Sequence, residues 1–156
     1  MQTIQVEGIT KRIAERFSDT TVESFQQNRI NLLAPVSSML TLAEYLRDKE
    51  GFDHVTSVTG IDYPARNMLT VTYHVGGYAR PEMRRVILSI TVDLPRNDAK
   101  IPTLIPIWPS AEYHERETHE MLGVTFQGHP NMSLLLLPED WNDPPPLRKD
   151  FKLRGR

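Results

Sequence analysis

Residues 68–76 read MLTVTYHVG and residues 86–94 read VILSITVDL. In the first, Leu69, Val71, Tyr73 and Val75 alternate with Met68, Thr70, Thr72 and His74; in the second, Val86, Leu88, Ile90 and Val92 alternate with Ile87, Ser89, Thr91 and Asp93. A period of two places each apolar set on one face of a strand, so both segments are predicted as half-buried strands. Gly76-Gly77 and Pro81 punctuate the connection between them, which predicts a turn-rich loop and antiparallel pairing. Weaker strand patterns lie around Val22–Leu33 and His54–Ile61.

One apolar sheet face needs a cover, and two helical patterns supply it. Ile9, Ile13 and Phe17 recur every four residues between charged positions, the period of an amphipathic helix. A second helix is predicted near residues 39–50: Thr41 and Glu44 have capping-box spacing, Leu42 and Leu46 point inward, and Gly51 ends it. The expected fold class is therefore α+β, a two-layer sandwich of a mainly antiparallel four-stranded sheet with two helices.

After this core, residues 1–95, the composition changes. Nine of the 12 prolines lie between Pro95 and Pro146. Proline can continue neither a ladder nor a helix interior, so residues 96–156 are expected to form an extended, surface-running arm of the same single domain. Pro144-Pro145-Pro146 reads as a short polyproline II spacer. One helix is predicted within the arm, residues 111–122 (AEYHERETHEML), with Ser110 as N-cap and Gly123 after its end.

Composition narrows the function. The chain has 156 residues, a formal net charge of −2 and no cysteine, which excludes disulfides, thiolate-held iron–sulfur clusters, cysteine zinc sites and a thiol nucleophile. Near-neutral charge argues against phosphate-neutralising nucleic-acid binding. The first seventeen residues are interrupted by charges, which argues against a secretion signal, and the longest aliphatic run is Leu134–Leu137.

On the arm helix, Ala111, Glu115, Thr118 and Leu122 share one face, while Glu112, Arg116 and Glu120 form an exposed ladder. A carboxylate among small and apolar neighbours calls for a cation or several N–H donors. Residues 112–143 carry net −6 and residues 147–156 carry net +4, so the tail is expected to fold back on the acidic helix, with Arg148 as bidentate partner of a glutamate. His114-Glu115 lacks the second histidine of a zinc-binding H-E-x-x-H helix, because Thr118 stands there. Gly123 and Gly128 read as cap and turn rather than a phosphate loop. Trp108 and Trp141 read as packing anchors of the arm, or as contacts for a partner.

Several ordered blocks in this arm, HERETHEMLG, FQGHPN, LLLLPEDW and PLRKDF, resemble the C-terminal signature of the complex I 30 kDa subunit family of NADH:quinone oxidoreductase. The upstream VTSVTGIDYP and LTVTYHV also resemble its core strands, and the resemblance spans roughly residues 35–153. It implies a cofactor-free member of the hydrophilic arm, with no catalytic, cofactor or metal residues of its own. Its implied neighbours are the 49 kDa-type subunit and iron–sulfur subunits holding the clusters, with membrane contact only through the complex, on the cytoplasmic side, and no nucleic acid. The residues it assigns to contacts between subunits or to locking the fold are Glu115, Arg116, Glu117 and Glu120 on the helix; Gly123, Gly128, His129 and Pro130 after it; and Glu139, Asp140, Trp141, Leu147, Arg148, Lys149 and Asp150 along the tail. Two family arginines are replaced by Ser133 and Leu134, and a family tryptophan by the Tyr113-His114 pair. The compact form also resembles the equivalent subunits of archaeal deazaflavin dehydrogenases and membrane-bound hydrogenases. Readings of other classes are a stand-alone metal-dependent enzyme built on His114, His119, Glu120 and His129, and a peptide-binding module using the polar sheet face of Thr70, Thr72, His74 and Thr91.

Overall fold

The structure, a computed structural model, describes residues 2–154. Helix α1 (Gln2–Arg16) buries Val6, Ile9 and Ile13 at helical spacing. It is followed by β1 (Thr21–Gln26) and β2 (Arg29–Leu33), α2 (Met39–Tyr45), and then β3 (His54–Tyr63), β4 (Met68–Gly76) and β5 (Ile87–Pro95). Leu69, Val71, Tyr73 and Val75 on β4 are fully buried, as are Leu88, Ile90 and Val92 on β5. The two strands pair antiparallel, with Thr72 opposite Thr91. Val86 is buried as expected, but just before the strand begins.

The sheet differs from the expected four-stranded, mainly antiparallel one. It has five strands in the order β1-β2-β5-β4-β3, and β2 runs parallel to β5. The weak pattern at Val22–Leu33 is two strands joined by a tight turn at Gln27-Asn28, so one expected strand becomes a hairpin. Its inner strand reaches β5 by a crossover through α2, β3 and β4, and such a crossover permits parallel pairing.

The second helix covers the predicted span but is capped differently. The Thr41 hydroxyl donates to the Ser38 carbonyl at 3.1 Å instead of closing a capping box. The helix ends in a wider turn, Leu46–Glu50, before Gly51 adopts φ 87°. Within that turn the buried Glu50 carboxylate accepts both Arg12 guanidinium hydrogen bonds, at 2.8 and 2.6 Å, and one from the Tyr45 hydroxyl at 2.6 Å, tying α1 to α2.

Residues 96–127 are not an extended surface arm. Short strands β6 (Lys100–Pro102) and β7 (Thr125–Gln127) pair in parallel and frame helix α3 (Glu112–Leu122). Ile101, Leu104, Trp108, Ala111, Leu122, Val124 and Phe126 are buried in the same hydrophobic cluster as the sheet. Trp108 is fully buried, and its indole N–H donates to the Phe52 carbonyl at 2.8 Å. Proline density misleads here because Pro102 ends a strand and Pro109 opens the turn before α3, positions where a missing N–H costs little. Ser110 is not the N-cap: its Oγ accepts the Val55 N–H at 2.9 Å, satisfying the outer edge of β3. Only residues 128–154 run as strap and tail without helix or strand.

Candidate functional site

The signature residues gather around α3, where the helix seats against β3 and the strap crosses it. The helix can lie close to the strand because Gly60 has no Cβ; one added there would stand 2.3 Å from Leu122 Cδ1. The Thr118 hydroxyl is within hydrogen-bonding distance of the β3 carbonyl of Val58, at 3.3 Å.

Glu115 points into the core and is fully buried. Its expected basic partner is not there. Tyr73 Oη donates to it at 2.8 Å, the Leu104 N–H at 2.8 Å, and the Thr103 hydroxyl completes the set. Burial pushes this carboxyl above the ordinary glutamate value, opposed by those three donors. Burial, together with the Glu115 charge, pushes the Tyr73 hydroxyl well above its own.

Glu120 is not part of an exposed ladder; it is 5% exposed. Its carboxylate accepts the consecutive N–H groups of Leu135, Leu136 and Leu137, the last at 2.8 Å. Arg116 completes the grip from one turn earlier, donating to the Ser133 carbonyl at 2.6 Å, the Ser133 hydroxyl at 2.9 Å and the Leu134 carbonyl at 2.8 Å. Ser133 and Leu134 thus supply the acceptors for Arg116. Helix α3 holds the strap by its main chain, a carboxylate for the N–H groups and a guanidinium for the carbonyls.

The tail folds back onto the same helix, at its end rather than on its glutamates. The Leu147 N–H donates to the Met121 carbonyl at 2.9 Å. Arg148 donates to the Leu122 carbonyl, and to the Arg96 carbonyl at 3.0 Å. A cation there meets last-turn carbonyls that have no intrahelical donor and the negative end of the helix dipole, which is why Arg148 caps instead of pairing with a glutamate. Gly123, at φ 76°, ends the helix, with Pro145 and Arg148 close to where a Cβ would stand.

Asp62 and Arg96 join this site without having been predicted. The Asp62 side chain is fully buried and bound by Arg96 through Nε and Nη2 at 2.6 and 2.8 Å, and by the Lys149 N–H at 2.8 Å. Arg96 also pairs with Asp150 at 3.1 Å. The Arg96 hydrogen bonds hold the Asp62 carboxyl down at about 2. The one legible sign was an acidic residue at an inward position of a β-strand, followed by a lone arginine after the next hairpin.

The remaining predicted residues divide. His129 Nδ1 accepts the Asn131 N–H at 3.0 Å, so its Nε2 carries the proton directed at the Glu112 carbonyl, 3.1 Å away. Trp141 stacks on Phe151 with ring centroids 6.0 Å apart. Gly128 turns the chain at φ 84°. Glu117, Pro130, Glu139, Asp140, Leu147 and Lys149 are exposed. His119 is directed at the Val124 carbonyl at 2.7 Å. The His/Glu constellation is not brought together, and among the described residues no three His, Asp or Glu side chains group as metal ligands.

Residues 32–156 match the family model described as the 30 kDa subunit of respiratory-chain NADH dehydrogenase. The chain belongs to this family. Among its relatives, a subunit of the F(420)H(2) dehydrogenase of Methanosarcina mazei is 35% identical over 147 residues, covering 94% of this chain and 89% of that protein. A subunit of the NADH-quinone oxidoreductase of Moorella thermoacetica is 35% identical over 123 residues, 79% of this chain and 80% of that one. The fold is shared with a chain of the membrane-bound sulfane sulfur reductase, an archaeal respiratory membrane complex, at TM-score 0.80 and 23% identity over 95% of this chain and 86% of that one. It is also shared with the trypsin-resistant fragment of Nqo5, at TM-score 0.67 and 22% identity over 81% of this chain and 98% of that one. Family members are subunits of multisubunit oxidoreductases, and among the described residues no helix is long and apolar enough to cross a membrane.

Proposed function

We propose that this chain is a structural subunit of a complex I-like quinone oxidoreductase, itself without cofactor or active site. Its strap and tail dock on the 49 kDa-type subunit, beside the subunits that carry the iron–sulfur clusters. Through that contact it supports electron transfer to quinone coupled to ion translocation, at the cytoplasmic face of the membrane and peripheral to it. The observation that carries this reading is how the signature residues are used. Glu120, Arg116 and Arg148 direct their hydrogen bonds chiefly at main chain, and Asp62, gripped by Arg96, also accepts the main-chain N–H of Lys149. Such an arrangement supports a role in shaping a surface for a neighbouring subunit.

The test is deletion of residues 138–156. The buried cluster lies within residues 6–126, so the truncated chain should retain a cooperative melt while failing to enter the complex. A truncated chain that assembles at the level of the full one would contradict the reading. A second reading concerns the electron donor. The relatives include both an F(420)H(2) dehydrogenase subunit and NADH-quinone oxidoreductase subunits, so a complex of the first type is the alternative. Comparing NADH with F(420)H(2) as donor to the isolated complex separates the two.

A further inference from the structure

Leu134 to Leu137 are four consecutive leucines on the strap, and two of them face outward: Leu136 is 60% exposed and Leu135 is 38% exposed. Their exposure is built in. The N–H groups of Leu135, Leu136 and Leu137 are the ones that the Glu120 carboxylate accepts, and the carbonyls of Ser133 and Leu134 are the ones that Arg116 holds. Turning the leucines inward would break those bonds and leave Glu120, almost wholly buried, without its donors. An apolar pair held outward on an already ordered backbone is a preorganised contact, because the ordering cost is met before binding.

Apart from Arg116, whose guanidinium is engaged by the strap carbonyls, the charged residues nearest to this apolar pair in sequence and next to the grip on α3 are acidic. Glu139 and Asp140 follow the leucines and are exposed, and Glu117, one helical position outside the grip, is exposed as well. Among the described residues none of these three forms an ion pair, and no Lys or Arg occurs in the sequence between Arg116 and Arg148. An apolar centre with a carboxylate rim suits a protein surface of opposite design. Anionic lipid headgroups and nucleic-acid phosphate would be repelled by the rim. A second copy of this chain, meeting the same patch about a two-fold axis, would bring carboxylate rims together.

We infer that Leu135 and Leu136 are the anchor of the strap's contact with a partner subunit, seated in an apolar cleft of that subunit whose edge is lined by lysine and arginine. The inference rests on the reading proposed above and adds to it the contact residues and the chemistry of the receiving surface.

Two measurements on the full chain, tagged and expressed in its own host, test it. With a photo-reactive benzoylphenylalanine in place of Leu136, crosslinking in the assembled complex should reach a peptide of another subunit in which apolar residues are flanked by Lys or Arg. In parallel, the L135S/L136S and E139K/D140K variants should each weaken retention in the complex by about tenfold, since two exposed leucines or the charge match are removed. The melts of the isolated variants should stay close to that of the unmodified chain, because all four side chains are exposed. If the unmodified chain brings down no partner, the proposed function fails and this inference with it. If it assembles, but both variants are retained equally well, the inference alone is overturned. The same holds if the crosslink stays within this chain, or reaches a second copy or lipid.

Discussion

Replacing Asp62 by Asn tests whether the tail is locked to the core through one buried carboxylate. The substitution keeps the volume but removes the charge that Arg96 grips through two hydrogen bonds and that the Lys149 N–H also meets. A carboxyl held at about 2 instead of the ordinary 3.8 corresponds to roughly 2 kcal/mol of stability at neutral pH, and solvent screening around Arg96 reduces the expected share to about 1–2 kcal/mol. The sign follows from the depressed value. The folded state favours the ionised form, so the contribution is fully present above the unfolded value of 3.8 and is lost as pH falls towards about 2. Urea melts of wild type and D62N should therefore differ by about 1–2 kcal/mol at neutral pH and converge as the solution is acidified. Amide exchange should accelerate at Lys149 in the variant. Equal melts at neutral pH together with unchanged exchange at Lys149 would refute the role given to Asp62.

Glu120→Ala removes the acceptor shared by three strap N–H groups; exchange at Leu135, Leu136 and Leu137 should rise, with about 2–3 kcal/mol lost in denaturant melts, less if water replaces the carboxylate. Gly60→Ala should destabilise by about 1–3 kcal/mol, read as a lower melting temperature, because the new Cβ meets Leu122 where α3 seats on β3. Glu115→Ala leaves three donors with no acceptor and should cost about 3–5 kcal/mol, whereas Glu115→Gln, which still offers a carbonyl to Tyr73 and Leu104, should cost far less. Because burial raises the Glu115 value, the wild type should gain stability relative to Glu115→Gln as pH falls from neutral towards the unfolded value of 4.5.

The central strands were legible because alternation over residues 68–76 and 86–94 has one physical meaning, a strand with one buried face. The hairpin was not, since Gln27-Asn28 turns the chain without glycine, and the parallel β2–β5 pair depends on a crossover that no local pattern records. Prolines were read by number where position decides: Pro102 and Pro109 flank a segment whose Ile101, Leu104 and Trp108 belong to the core. At the site, charge arithmetic correctly brought the tail back to α3 but mispaired it. Arg148 satisfies helix-end carbonyls, and Glu115 is satisfied by neutral donors, one of them 42 residues distant on β4. The role of Glu120 in gripping main chain could not be seen either, since backbone N–H groups leave no mark in a sequence.

Purification of the intact assembly through a tag on this chain, followed by native mass spectrometry, tests the proposed function most directly. One stoichiometric complex is expected, in which this chain accompanies a 49 kDa-type subunit and iron–sulfur subunits, all redox cofactors being assigned to those neighbours. Recovery of this chain alone, or with a redox cofactor or metal of its own in stoichiometric amount, would contradict it.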